Sequence, residues 1–156
     1  MFEDPLLPGR NGSAYLYPCL LSHAPLDLLV MMLGTNDCKM RFGASAQNIA
    51  AGISALVQTA RLAPVWRGAP RILLLAPPPL TAQCFDEAAG GESGEVCAEK
   101  SRQLAALYRD VADQTGCGFF DAGRYIQVSG TDGTHWDASA HRALADALAE
   151  RIRDGM

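Results

Sequence analysis

Leu26-Asp27-Leu28-Leu29-Val30-Met31-Met32-Leu33 is an apolar run broken by one aspartate and closed by Gly34. A short continuous apolar stretch that ends on glycine has the signature of a strand buried on both faces, as in a parallel sheet. Two further runs read the same way. Ile72–Ala76 follows Pro70-Arg71 and is stopped by Pro77-Pro78-Pro79, and Cys117–Phe120 ends at Asp121.

The segments between these runs have helical spacing. In 46–62, Ile49, Ile53, Leu56, Val57 and Ala60 share one face, and Ser45 is placed to cap it. In 95–115, Leu104, Leu107, Tyr108 and Val111 share a face, and Gly116 fits the C-terminal cap. In 138–153, Leu144, Leu148 and Ile152 recur every four residues. Ahead of the first run, residues 1–12 are rich in Pro and Gly and read as an extended loop. Residues 13–22 suit a short helix capped by Asn11 or Ser13, with Pro18 counting against it. Strand and helix alternate, which implies the α/β class: a parallel sheet with helices packed on its faces. No repeat or linker divides the 156 residues, so one domain is expected over 1–156.

Composition narrows the function classes. The net charge of −4 and the lack of a Lys/Arg stripe argue against nucleic acid. The longest apolar run is far too short to span a bilayer. The acidic start Met1-Phe2-Glu3-Asp4 does not read as a secretory leader. Five cysteines without a C-x-x-C spacing suggest reduced thiols in a cytoplasmic protein, not disulfides or a zinc site.

Ligands of open α/β sheets bind at the carboxyl ends of the strands. The first strand is followed there by Gly34-Thr35-Asn36-Asp37, the third by the loop holding Asp132-Gly133-Thr134-His135-Trp136. Asp132 and His135 are spaced so that a carboxylate can orient an imidazole from within one tight loop. The plain alternative is a turn at Asp132-Gly133. Asn36, after a glycine that allows a sharp turn, can aim its amide at a developing oxyanion, or can simply cap local backbone. Asp132, His135, Asp137 and His141 are near one another in sequence, but no second cluster completes a metal site, and none is expected. No G-x-S-x-G elbow occurs, and every serine sits in a context that suits a cap, a helix surface or a loop. Cys38 adjoins the Asn36 loop, yet only Lys39 stands near it in sequence to favour a thiolate, so a small half-buried side chain is the simpler reading. His23 reads as a loop residue.

Taken together, Gly34-Thr35-Asn36-Asp37 and Asp132-x-x-His135 resemble the third and fifth sequence blocks of the SGNH (GDSL-type) hydrolase family. Asp4-Pro5, Gly9-Arg10-Asn11-Gly12, Pro18-Cys19-Leu20, Ser22-His23, Pro25-Leu26-Asp27, Pro77-Pro78-Pro79 and Phe120-Asp121-Ala122-Gly123 extend the likeness to its bacterial arylesterase/acyltransferase branch. The resemblance implies a three-layer α/β/α, flavodoxin-like domain. It makes His135 the base, Asp132 its orienting carboxylate and Asn36 an oxyanion donor, with Gly34, Thr35 and Asp37 as the supporting loop. It also implies small ester substrates, acyl transfer to alcohols in some members, homo-oligomers, and no metal or organic cofactor.

The family's Gly-Asp-Ser and glycine blocks have no counterpart here. The expectation is therefore an N-terminally truncated domain that lacks the nucleophile and the first two strands. Without the first strand, the 26–33 strand becomes a sheet edge. Such a chain is expected to be inactive alone. The alternative is a non-catalytic remnant or assembly module. A flavodoxin-like nucleotide binder finds no support, because no Gly-rich phosphate loop follows a strand.

Overall fold

Asn11 starts the first helix: its side chain accepts the Ser13 N–H, and the helix runs Gly12–Ser22 (α1). Pro18 lies inside it, and the carbonyl that loses a partner there belongs to Ala14, on a face open to water. The computed structural model describes residues 1–4, 7–84 and 94–155.

Three parallel strands follow in chain order across the sheet: Leu29–Met31 (β1), Ile72–Ala76 (β2) and Gly118–Asp121 (β3). Leu29 stands opposite Ile72, and Leu73 opposite Gly118. β2 is buried along its whole length. β1 departs from the expectation. It is shorter than its apolar run and is not buried on both faces: Val30 is 40% and Leu33 37% exposed. Its outer edge has no strand beside it among the described residues, so only the residues facing β2 and the helices are covered.

The first long helix, Ala46–Leu62 (α2), begins at a capping box in which Ser45 and Asn48 serve each other's backbone. The next is Gly94–Thr115 (α3), and Gly116 beyond it takes a left-handed φ of 67°. Asp137 caps the last, Ala138–Arg153 (α4). Side chains from α2 and α3, among them Ile49, Ile53, Val57, Leu104 and Tyr108, pack with Met31, Ile72, Leu74 and Ala76. The alternate residues Leu73, Leu75 and Phe120 pack with Leu144 of α4. This is a helix–sheet–helix stack, thick on one side and thin on the other. Of the expected apolar face of α4 only Leu144 is fully buried, and Ile152 is 37% exposed. Each step of four residues turns about 40° around a helix, so Ile152 has rotated away from the sheet. Among the described residues, no helix is long and apolar enough to cross a membrane.

Candidate active site

Gly34 ends β1's extension with a φ of +119°, a conformation that L side chains rarely adopt. A side chain there would also collide with the hydroxyl of Tyr108, which reaches across from α3 and donates to the Leu33 carbonyl at 2.8 Å. Burial, then the neighbouring Asp37 and Cys38, push the Tyr108 phenol far up, so it remains a donor. The turn that follows, Asn36–Cys38, is 3₁₀. It sends Asp37 inward to accept the Phe2 N–H at 3.1 Å and leaves Asn36 exposed. The Asn36 side-chain amide has no hydrogen-bond partner among the described residues. Cys38 is fully buried. Desolvation, then the neighbouring Cys97, push its thiol up to about 12, which fits a packed thiol and not a nucleophile.

The second half of the site is the loop 129–137. Asp132 Oδ1 accepts the N–H groups of Thr134 and His135, each at 2.9 Å, and Oδ2 lies 2.6 Å from His135 Nδ1. The His135 N–H, its ring and the Thr134 N–H hold the carboxyl down to about 2. An ionised carboxylate only accepts, so Nδ1 carries the proton, and in the neutral imidazole Nε2 presents a bare lone pair. The loop closes on itself by backbone bonds, Ser129 N to His135 O at 2.6 Å and Gly133 N to Ser129 O at 2.9 Å. Gly133 has a φ of +65°, and a side chain on it would strike Thr81 Oγ1 and come within 2.8 Å of Cys84 N. The Thr81 N–H donates to the Gly133 carbonyl at 3.2 Å. The segment after β2 thus clamps the loop of β3.

Both halves meet. Thr35 and Asn36 from one loop and Thr134, His135, Trp136 and His141 from the other wall one cleft of about 310 Å³. Asp132 stands behind His135, outside that lining, while Gly34 and Asp37 are buried beneath. Thr35 and Asn36 also wall a hollow of about 230 Å³ that reaches Arg10 and Leu33. The lining contains no serine among the described residues. Asp137 turns away to cap α4, where the Ala140 N–H and then the Ser139 hydroxyl lower its carboxyl, so the four neighbouring Asp and His groups do not converge. Among the described residues, no three His, Cys, Asp or Glu side chains gather to hold a metal. His23 forms a local cluster with Ser22 and the Cys19 carbonyl at the end of α1. The long segment 80–94 reads from its length as a channel wall, a subunit contact or a plain surface loop, and its residues 85–93 lie outside the described residues.

Sequence reasoning missed Tyr108, the Gly133 clamp, and the part of Trp136 and His141 in the cleft wall. A tyrosine on the apolar face of 95–115 was the available signal for the first, since a buried phenol needs a hydrogen-bond partner.

A sequence profile of the GDSL-like lipase/acylhydrolase family matches residues 6–153. No curated protein matches the chain significantly. Among solved structures, an aryl esterase of M. smegmatis is similar at a TM-score of 0.89 and 37% identity, over 98% of this chain and 72% of that one. A carbohydrate acetylesterase from Sinorhizobium meliloti is similar at 0.89 and 36% identity, over 99% of this chain and 73% of that one. An acetylxylan esterase from Geobacillus stearothermophilus, solved as a catalytic mutant, shares the fold at 0.63 with 18% identity, over 92% of this chain and 66% of that one.

Proposed function

The chain belongs to the GDSL-like lipase/acylhydrolase family, and on that footing we propose that it carries the base, the orienting carboxylate and one oxyanion donor of a serine-type carboxylic-ester hydrolase. The observation that carries this reading is the 2.6 Å pair of Asp132 and His135 on the same cleft as Asn36. In the proposed reaction Nε2 of His135 takes the proton from an attacking hydroxyl and returns it to the leaving alcohol. Asp132 fixes the tautomer and stabilises the imidazolium that forms. Asn36 donates to the oxyanion of the tetrahedral intermediate. A single donor of this kind is worth about 10²–10³ in rate.

We further propose that none of the chain's own serines is the nucleophile, so that these 156 residues hydrolyse esters negligibly by themselves. The absence of a Gly-Asp-Ser block and the serine-free lining of the cleft support this. Acyl transfer uses the same groups, with an alcohol in place of water. The exposed apolar residues Val30, Leu33, Tyr17 and Leu21 support self-association, and five free cysteines suit a reducing compartment such as the cytoplasm. The serine-free cleft also favours a second reading, a non-catalytic assembly module.

The test exposes the purified chain to a fluorophosphonate probe and to p-nitrophenyl acetate. The expected result is no labelled serine and a slow, non-saturating release of nitrophenol that His135→Ala removes. Stoichiometric labelling of a serine would overturn the nucleophile proposal. Residual hydrolysis unchanged in His135→Ala would favour the assembly reading over the acid–base one.

A further inference from the structure

β3 forms the other edge of the sheet, and a concavity of about 140 Å³ opens along it. Its walls bring together Arg109 from α3, Arg124 from the turn after β3 and Arg151 from α4. Three arginines thus line one small hollow in a chain whose net charge is −4. Asp121 is the one carboxylate among the lining residues, and it stands 3.5 Å from Arg124. Its other oxygen already accepts the Gly123 N–H at 3.0 Å. Arg109 and Arg151 make no ion pair with a described residue.

The hollow is also pre-shaped. Arg109 lies over the Phe119 ring, its guanidinium carbon 4.4 Å from the centroid, a cation–π contact that holds the side chain at this edge. Tyr125 stacks on Phe120 at 4.8 Å and 15°, and the residue is 54% exposed. The aromatic rings on either side of this edge lower the local dielectric and strengthen attraction to an anion. Like charges gathered around the edge repel one another until a multivalent anion enters. Planar arginine forks match the oxygens of a phosphoryl group, and Arg109, already held against Phe119, loses little freedom on binding. The volume suits a phosphoryl group with a small substituent and is too small for a nucleotide.

We propose that Arg109, Arg124 and Arg151 form a binding site for a small phosphate monoester at the β3 edge. The site shares no lining residue with the cleft at His135, so it stands or falls independently of the esterase reading.

The experiment titrates the chain with methyl phosphate while ¹H–¹⁵N shifts of the arginine Nε–H groups and of the backbone over 118–125 are followed. Ionic strength is held constant with sodium chloride. Saturable one-to-one shifts confined to Arg109, Arg124, Arg151 and 118–125 are expected. Arg151→Gln and Arg109→Gln are each expected to weaken binding about tenfold, as loss of a hydrogen bond to a charged group does. Arg124→Gln is expected to weaken it less, because Asp121 already engages that side chain. Unchanged melting temperatures of the variants and unchanged shifts at His135 mark the loss as local. Shifts that rise without saturation, or that chloride reproduces, overturn the site. Malonate binding as tightly as methyl phosphate overturns the phosphoryl assignment. An affinity unchanged in both Arg109→Gln and Arg151→Gln overturns the residue assignment.

Discussion

His135 and Asp132 share a 2.6 Å hydrogen bond although 82% of the histidine side chain is open to solvent. Exposed pairs of this kind add little to stability. What this one fixes is geometry, because the two remaining bonds to the Asp132 carboxylate come from the backbone of the same loop. Asp132→Asn keeps an acceptor for those backbone groups but turns an N–H toward His135 Nδ1. The expected outcome is a shift of the imidazole to the Nδ1-bare tautomer with an unchanged melting temperature, read by long-range ¹H–¹⁵N spectra. Persistence of the Nδ1–H tautomer would rule this account out.

The same pair sets a pH dependence. Asp132 titrates at about 2 in the folded chain against an ordinary carboxyl value of 3.8. A carboxyl depressed on folding contributes stability that is fully present above its ordinary value and is lost as pH falls through the folded one. Loop 129–137 should therefore keep its native amide shifts at pH 4 and lose them as pH approaches 2. Asp132→Asn should flatten that part of the profile.

Gly34 and Tyr108 compete for one volume. Tyr108→Phe leaves the Leu33 carbonyl without its donor, at a cost of about 1–3 kcal/mol. Gly34→Ala combines a strained φ with a collision against the Tyr108 hydroxyl. In the double variant the collision is gone and the strain remains. Urea unfolding should give a double-variant loss smaller than the sum of the single losses. Simple additivity would contradict the contact.

Gly133→Ala is expected to destabilise the chain by about 1–3 kcal/mol through its positive φ, and more if the Thr81–Cys84 backbone must move. The sharper readout is at a distance: the His135 ring shifts should broaden, because the clamp on its loop is loosened. A stable variant with unaltered His135 shifts would show that the clamp does not position this histidine.

Val30 sits on the open edge of β1 and is 40% exposed. Val30→Lys is expected to change folding stability by no more than about 0.5 kcal/mol. It should also lower the self-associated fraction in sedimentation velocity, since a charge blunts strand-to-strand pairing. Equal association of both proteins would place the contact elsewhere.

Much of the fold was legible because it is local. The Ser45 cap, the buried run Ile72–Ala76 and the Gly116 stop each depend on neighbours within a few residues. The contact of Asp132 with His135 was legible for the same reason, as two intervening residues let one loop close on itself. What stayed hidden depends on long-range meeting. The apolar run Leu26–Leu33 taken alone reads as buried on both faces, whereas the expected lack of the first strand already places it at the edge where β1 lies. Tyr108 meets Leu33 across 75 positions, and Gly133 meets Thr81 only because β2 and β3 are adjacent. Arg109, Arg124 and Arg151 look like scattered surface charge until two helices and a turn bring them to one edge.

The loop that carries His135 is tied down by main-chain bonds through Ser129, Gly133 and Thr81 and by the carboxylate of Asp132. None of these ties uses a side chain at Gly130 or Thr131. Gly130 and Thr131 can therefore be randomised, and inserted chemistry displayed from them, while the imidazole a few residues on keeps its orientation. That makes this turn a natural place to graft a new recognition element beside His135.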